Sequence, residues 1–215
     1  MQNVADHVVS VRQQGVFPTL VGGNHAITIG ATRGAASTVD GAMGYLTIDA
    51  HLDMSHDWAG EIYSSGCPTY RVCELPNVDP ANVVVLGVHG WLNPASQVKA
   101  AKEHGVRWFG MEEIRRVGVE RAIQEAIDIA SDGVQGLYVS FDQDSIDASH
   151  FPGTGTPEPG GLTSGEALTI ARHLGRARPV GFDVVELAPI YDLSGISTRL
   201  SCGIVMDFFM GMVGR

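Results

Sequence analysis

Apolar positions along the chain gather into short, nearly unbroken runs: Phe17 to Val21, Met43 to Ile48, Val83 to Val88, Val106 to Phe109, Leu137 to Phe141 and Val180 to Val185. They are rich in β-branched residues and apolar almost throughout, as strands of a parallel sheet covered on both faces should be. Helix-like stretches lie between them, at about His25 to Ser37, Pro94 to His104, Val119 to Ala130, Ser164 to Gly175 and Ser197 to Gly211. The alternation predicts an α/β fold with a mainly parallel sheet. Thr163 or Ser164 followed by Glu166 reads as a helix start, and Gly105 and Gly175 read as helix stops. No repeat or linker divides the chain, so residues 1–215 are expected to form one domain.

Composition narrows the function classes. Acidic residues outnumber basic ones 24 to 14, for a formal charge of -10, which disfavours binding to nucleic-acid phosphates. Cys67, Cys73 and Cys202 are odd in number and lack zinc-type spacing, which fits a reducing cytosol better than a disulfide framework. The N-terminus has no basic flank or apolar stretch of the secretory kind. The apolar tail from Ile204 to Val213 contains Asp207 and is too short to span a bilayer, so it reads as a core or interface helix. The expectation is a cytoplasmic protein without a membrane partner.

Candidate chemistry lies at the ends of the predicted strands, where ligands collect in such folds. Gly44 to Ile48 runs into Asp49-Ala50-His51-Leu52-Asp53, and in an extended segment side chains at i, i+2 and i+4 share one side. Leu137 to Phe141 runs into Asp142-Gln143-Asp144 in the same way, with Asp147 three residues on. Carboxylates converging on one face repel unless a proton or cation sits between them, so a metal is the economical reading. The turn Gly22-Gly23-Asn24-His25 can aim His25 at the same place. Oxygen and imidazole donors without thiolate suit manganese, or else iron, nickel or cobalt, better than structural zinc. Two such ions lower the pKa of a shared water and generate hydroxide, so hydrolysis follows. Glu186, at the end of Gly181 to Val185, is either a carboxylate for a cationic substrate or a helix-start acid. The Gly- and Pro-rich segment Pro152 to Gly161 is expected to wall the site.

Taken together, Gly22 to His25, Asp49 to Asp53, Ser140 to Asp144 with Asp147, Pro152 to Thr163 and Gly181 to Pro189 resemble the ureohydrolases: arginases, agmatinases and guanidino-acid hydrolases. The resemblance covers the chain from about residue 17 to its end and implies a three-layer αβα sandwich. It also implies two manganese ions per chain, with nickel or cobalt as alternatives. His25, Asp49, Asp53 and Asp142 would hold one ion, and Asp49, His51, Asp142 and Asp144 the other. Family members use the bridging hydroxide on the guanidinium carbon, releasing urea and an amine. Asp53 and Glu186 are then the expected catalytic side chains, and Glu186, Glu158 and Ser65 the substrate contacts. A homo-oligomer, trimer or hexamer, would follow the family.

Departures from the family pattern shape the expectation further. Asn24 replaces an aspartate and is expected to remove a carboxylate from behind the metal ligands. Ser65, in Tyr63-Ser64-Ser65-Gly66, stands where agmatinases usually carry a proton-ferrying histidine, a loss worth typically 10²–10⁴-fold; His56 is a candidate substitute. Formimidoylglutamases share the Ser-Ser-Gly tract. Family chains are longer at the N-terminus, so the expectation is a short domain: a fragment, a shortened gene product, or a chain completed by a partner. The favoured reading is an amidinohydrolase acting on agmatine or a guanidino acid. A formimino hydrolase and a catalytically weak assembly subunit are the alternatives.

Overall fold

The computed structural model describes residues 1–214. Strands β1 (Thr19–Val21), β2 (Met43–Ile48), β3 (Val83–Val88), β4 (Arg107–Gly110), β5 (Gly136–Asp142) and β6 (Gly181–Val185) form one sheet in the order β1-β6-β5-β2-β3-β4. Every pairing is parallel. The helices are α1 (Gln2–Gln13), α2 (Ile27–Ala36), α3 (Pro68–Cys73), α4 (Ala95–His104), α5 (Met111–Val117), α6 (Val119–Ala130), α7 (Ser164–Arg176) and α8 (Ile196–Met212).

The two-residue period of each strand divides the core. Leu46 and Ile48 of β2, with Val84, Val139 and Phe141, pack against Ile123 of α6, Ile170 and Leu174 of α7, and Phe208 of α8. Met43 and Tyr45, with Val83, Val85 and Tyr138, pack against Ala31 and Ala35 of α2, Val72 of α3 and Ala101 of α4. The strand pattern predicts this parallel sheet, and the family resemblance implies its αβα sandwich. Each fully buried Leu, Ile or Phe contributes roughly 1.5–3 kcal/mol. Among the described residues no helix is long and apolar enough to cross a membrane.

Three helices lie outside the predicted set. Of these, α3 and α5 are only 6 and 7 residues long, too short for a periodic signal. By contrast, α1 carries Val4, Val8 and Val11 at i, i+4 and i+7, the spacing of an apolar helical stripe. It lies close against α2 because of glycine: a Cβ at Gly30 would stand 2.7 Å from the Met1 carbonyl oxygen, and one at Gly34 2.5 Å from that of Ala5. Gly34→Val is therefore expected to overpack this contact and cost about 1–3 kcal/mol. Chemical denaturation reads the effect, and an unchanged midpoint would contradict the seating of α1.

The predicted helix start is present as a capping box between Thr163 and Glu166, and Gly105 ends α4 in the left-handed conformation at φ 81°. Gly175 does not stop its helix. It lies inside α7, where a Cβ would come within 1.9 Å of the Phe208 carbonyl oxygen, so the glycine serves the close packing of α7 on α8.

Candidate metal centre

The carboxyl ends of β2, β5 and β6 lie side by side, with Ile48 opposite Phe141 and Asp142 opposite Val185. Strand β1 ends alongside β6 and hands the chain to Gly22 and His25. One sheet edge therefore gathers the segments that carry the candidate ligands. His25, Asp49 and Asp142 bring donor atoms within 4.8 Å of one another, and so do Asp49, His51 and Asp144; all are buried. Asp49 belongs to both groups. Asp53 joins the first, its Oδ2 2.9 Å from His25 Nδ1.

Turns achieve this convergence, in place of the extended alternation expected from sequence. The chain bends at Ala50 and His51, and Asp53 sits in the left-handed region at φ 50°. Asp142 ends its strand, and Gln143 to Ser145 form a single 3₁₀ turn. The two strand-ending aspartates share one device. Oδ1 of Asp49 accepts from the His51 amide at 2.7 Å, and Oδ1 of Asp142 from the Asp144 amide at 2.9 Å. Each Oδ2 is thereby left facing His25 Nδ1, at 3.3 and 3.0 Å.

The far side of the His25 ring explains which nitrogen is presented. Asp183 is wholly buried and accepts from Thr28 Oγ1 at 3.0 Å, from the Tyr138 hydroxyl at 2.8 Å and from Ser140 Oγ. Ser140 spends its one proton on Asp183, so its oxygen accepts from His25 Nε2–H at 3.1 Å. Nδ1 then carries the lone pair into the carboxylates. That atom and Asp49 Oδ2 are buried without a hydrogen-bond partner, and a lone pair among anionic oxygens is stable only with a cation between them.

The titration behaviour of the metal-free groups agrees. Burial pulls the His25 imidazole down, but Asp142, Asp49 and Asp53 outweigh it and hold it well above its ordinary range. Burial likewise opposes the His51 charge, yet Asp144 and Asp49 push it up to about 12. Burial and the Asp49 charge push Asp53 up to about 7. Burial, with Asp144 and Asp49, raises Asp142 well above the carboxylate range. The cluster takes up protons where cations would sit. Asp183→Asn is expected to lower divalent-metal affinity about 10–100-fold by loosening the His25 ring; calorimetric titration with manganese reads this, and an unchanged affinity would contradict it.

A cavity of about 540 Å³ opens over the centre and is lined by His25, His51, Asp53, Asp142, Asp144 and Glu186 at its base, with Ser64, Ser65 and Thr156 on the walls and Trp58 and Trp91 further out. Glu186 is also left-handed, at φ 60°, and its Oε1 accepts the His25 amide at 2.6 Å. Burial raises its pKa. Two non-glycine residues in this sparsely populated conformation at one cavity mark a site held in shape by its surroundings.

Other sequence-predicted residues stand elsewhere. Glu158 does not line the cavity; its Oε1 accepts the Trp91 amide at 3.0 Å. His56 is exposed, pairs with Asp57 at 3.1 Å, packs edge-on against Tyr70 and does not line the cavity. Asn24 is exposed and accepts the Ala26 amide at 2.9 Å, while the partner behind His25 is the Ser140–Asp183 pair. Asp147 shapes the following loop by accepting from the amides of Ser149 and Gly160, at 2.9 and 2.6 Å, and Ser149, chiefly through its hydroxyl, pushes it down to about 2. The loop after Pro152 contributes Thr156, which donates to Asp144 Oδ2 at 2.7 Å. Trp58, Trp91 and Gln97 line the cavity without having been singled out from sequence; one tryptophan shortly after Asp53 and another just past the strand Val83–Val88 were the available signal.

Fold and centre together define a parallel-sheet α/β protein with paired acid and imidazole groups suited to divalent cations. The arginase family pattern matches residues 1–211, and the chain belongs to the arginase family. It is 36% identical over 185 residues to proclavaminate amidinohydrolase of Streptomyces clavuligerus, covering 85% of this chain and 57% of that one. It is 34% identical over 198 residues to guanidinopropionase of Pseudomonas aeruginosa, covering 92% and 61%. The solved structure of the Streptomyces clavuligerus enzyme matches with a TM-score of 0.85 and 32% identity, over 97% of this chain and 68% of that one. The chain thus spans about three fifths of the length of these two curated relatives.

Proposed function

We propose that the protein is a binuclear metal-dependent amidinohydrolase that cleaves a guanidino compound to urea and an amine. The observation that carries this reading is His25 Nδ1, buried without a hydrogen-bond partner and facing Asp49, Asp53 and Asp142 at 2.9–3.3 Å beneath an open cavity. His25, Asp49, Asp53 and Asp142 would hold one ion, and Asp49, His51, Asp142 and Asp144 the second, with manganese the expected metal and nickel or cobalt its alternatives. When bound, the pair supplies Lewis acidity and a water acidic enough to give hydroxide near neutral pH.

The chain's own groups do the rest. Glu186 gives one oxygen to the His25 amide and offers the other to the guanidinium, fixing its plane by charge-assisted hydrogen bonds. Thr156 holds Asp144 from outside. Asp53, on the cavity surface, takes the proton released as water adds to the trigonal carbon and delivers it to the leaving nitrogen as the C–N bond breaks. The Ser65 hydroxyl lines the path and hydrogen-bonds the substrate without serving as a strong acid.

The test is product identity after loading with manganese, nickel or cobalt. Urea from agmatine or a guanidino acid is the expected result. Formamide from a formimino compound would support the second reading, which the Ser64-Ser65-Gly66 wall of the cavity favours. Stoichiometric metal with no product from any compound would contradict both and leave a silent homologue.

A further inference from the structure

Gln143 stands in the chain between two candidate ligands, Asp142 and Asp144, yet it is wholly buried and does not line the cavity. A buried primary amide is costly unless its donors and its acceptor find partners, and here both ends do. Nε2 donates to the Val185 carbonyl at 3.0 Å, and Oε1 accepts from Ser201 Oγ of α8. Chemistry fixes which end is which, because a carbonyl only accepts and so must face the amide nitrogen. The Ser201 hydroxyl is itself held 2.9 Å from the Ser197 carbonyl, one turn earlier in α8.

Val185 ends β6 directly before Glu186, so its carbonyl and the Glu186 amide belong to one planar peptide unit. Gln143 holds the carbonyl side of that plane. The Gly23 carbonyl holds the other side, accepting the Glu186 amide at 2.5 Å. A plane held from both sides limits φ at Glu186, which stands at 60°, a conformation that non-glycine residues keep only where their surroundings impose it. From there the Glu186 side chain reaches the His25 amide at 2.6 Å and lines the cavity. Gln143 also belongs to the single 3₁₀ turn that carries Asp144. One buried amide thus joins the turn bearing the candidate ligands to the peptide that aims Glu186.

We propose that Gln143 is a positioning residue: it clamps the Val185–Glu186 peptide and so sets where the Glu186 carboxylate stands relative to Asp142 and Asp144. Its consequence for function rests on Glu186 as the guanidinium partner in the amidinohydrolase reading.

Gln143→Met keeps an unbranched buried side chain and removes both hydrogen bonds. With the manganese-loaded full chain and a guanidino compound that it turns over, kcat/KM is expected to fall roughly 10–100-fold. Methylguanidinium, titrated by calorimetry, is expected to bind roughly 3–10-fold more weakly, while manganese affinity stays within about 2-fold. In a Glu186→Gln background the same change is expected to add no more than about 2-fold, because effects routed through one group are not additive. A general loosening of the fold would instead add its full cost in both backgrounds. Ser201→Ala takes one of the two anchors from Gln143 and is expected to give the same pattern at smaller size, and Ser201→Thr to restore it. Full additivity with Glu186→Gln, unchanged methylguanidinium affinity, or a loss of manganese in its place would overturn the proposal. A crystal structure of metal-free Gln143→Met, or of Ser201→Ala should that variant fail to fold, needs no substrate. The Val185–Glu186 peptide is expected to rotate and Glu186 to release the His25 amide; an unmoved Glu186 would overturn the proposal. If the wild-type chain neither turns over a guanidino compound nor binds methylguanidinium, the amidinohydrolase reading fails, and that crystal structure alone upholds or overturns the role of Gln143.

Discussion

Asp142→Asn is expected to lower turnover of the metal-loaded protein by roughly 10³–10⁴-fold while leaving the fold intact. The substitution is nearly isosteric, and the retained Oδ1 still accepts the Asp144 amide, now at 2.9 Å. What changes is Oδ2, which becomes an amide nitrogen 3.0 Å from the lone pair of His25 Nδ1. A donor is lost where the two ligand groups meet, and metal-ion stabilisation worth several kcal/mol goes with it. Metal-free stability should move little or upward, because burial and the charges of Asp144 and Asp49 already disfavour the Asp142 carboxylate. Two separate measurements therefore bear on the point: melting without metal, expected to be unimpaired, and metal stoichiometry with turnover, both expected to fall. A variant with full metal and near-normal turnover would contradict the assignment of Asp142.

Glu186→Gln is expected to cost about 10²–10³-fold in kcat/KM with metal affinity unchanged. The amide oxygen of glutamine can keep the hydrogen bond from the His25 backbone, so the backbone strain at φ 60° stays supported. The charge is lost. A hydrogen bond to a charged group is worth about 1.5–3 kcal/mol, and the oxygen left for the guanidinium becomes an N–H donor that faces another donor. Loss of metal in this variant, in place of loss of substrate affinity, would show that Glu186 serves the centre and not the substrate.

The architecture was legible because central strands of a parallel sheet are apolar on both faces. Met43 to Ile48 and Leu137 to Phe141 could be read directly, and the acids following them had to fall at the sheet's carboxyl edge. How those acids meet was not legible. The bend at Ala50 and His51, the left-handed Asp53 and the capping of Asp49 and Asp142 by amides two residues on are matters of turn geometry, and spacing alone does not specify them. Glu158 shows the same limit from the other side: a carboxylate in the loop after the second ligand segment is buried away from the cavity lining and accepts the Trp91 amide. The Asp183 relay was out of reach for a different reason. A lone aspartate within an apolar strand carries no partner in sequence, and only the pairing of β5 with β6 brings it opposite Ser140. The first helix, α1, was readable from Val4, Val8 and Val11, a stripe hidden among polar neighbours.

Anomalous diffraction from crystals soaked in manganese tests the central claim most directly. Two peaks are expected, one among His25, Asp49, Asp53 and Asp142 and the other among Asp49, His51, Asp142 and Asp144. An empty map at both positions, with the protein otherwise folded as described, would contradict the account.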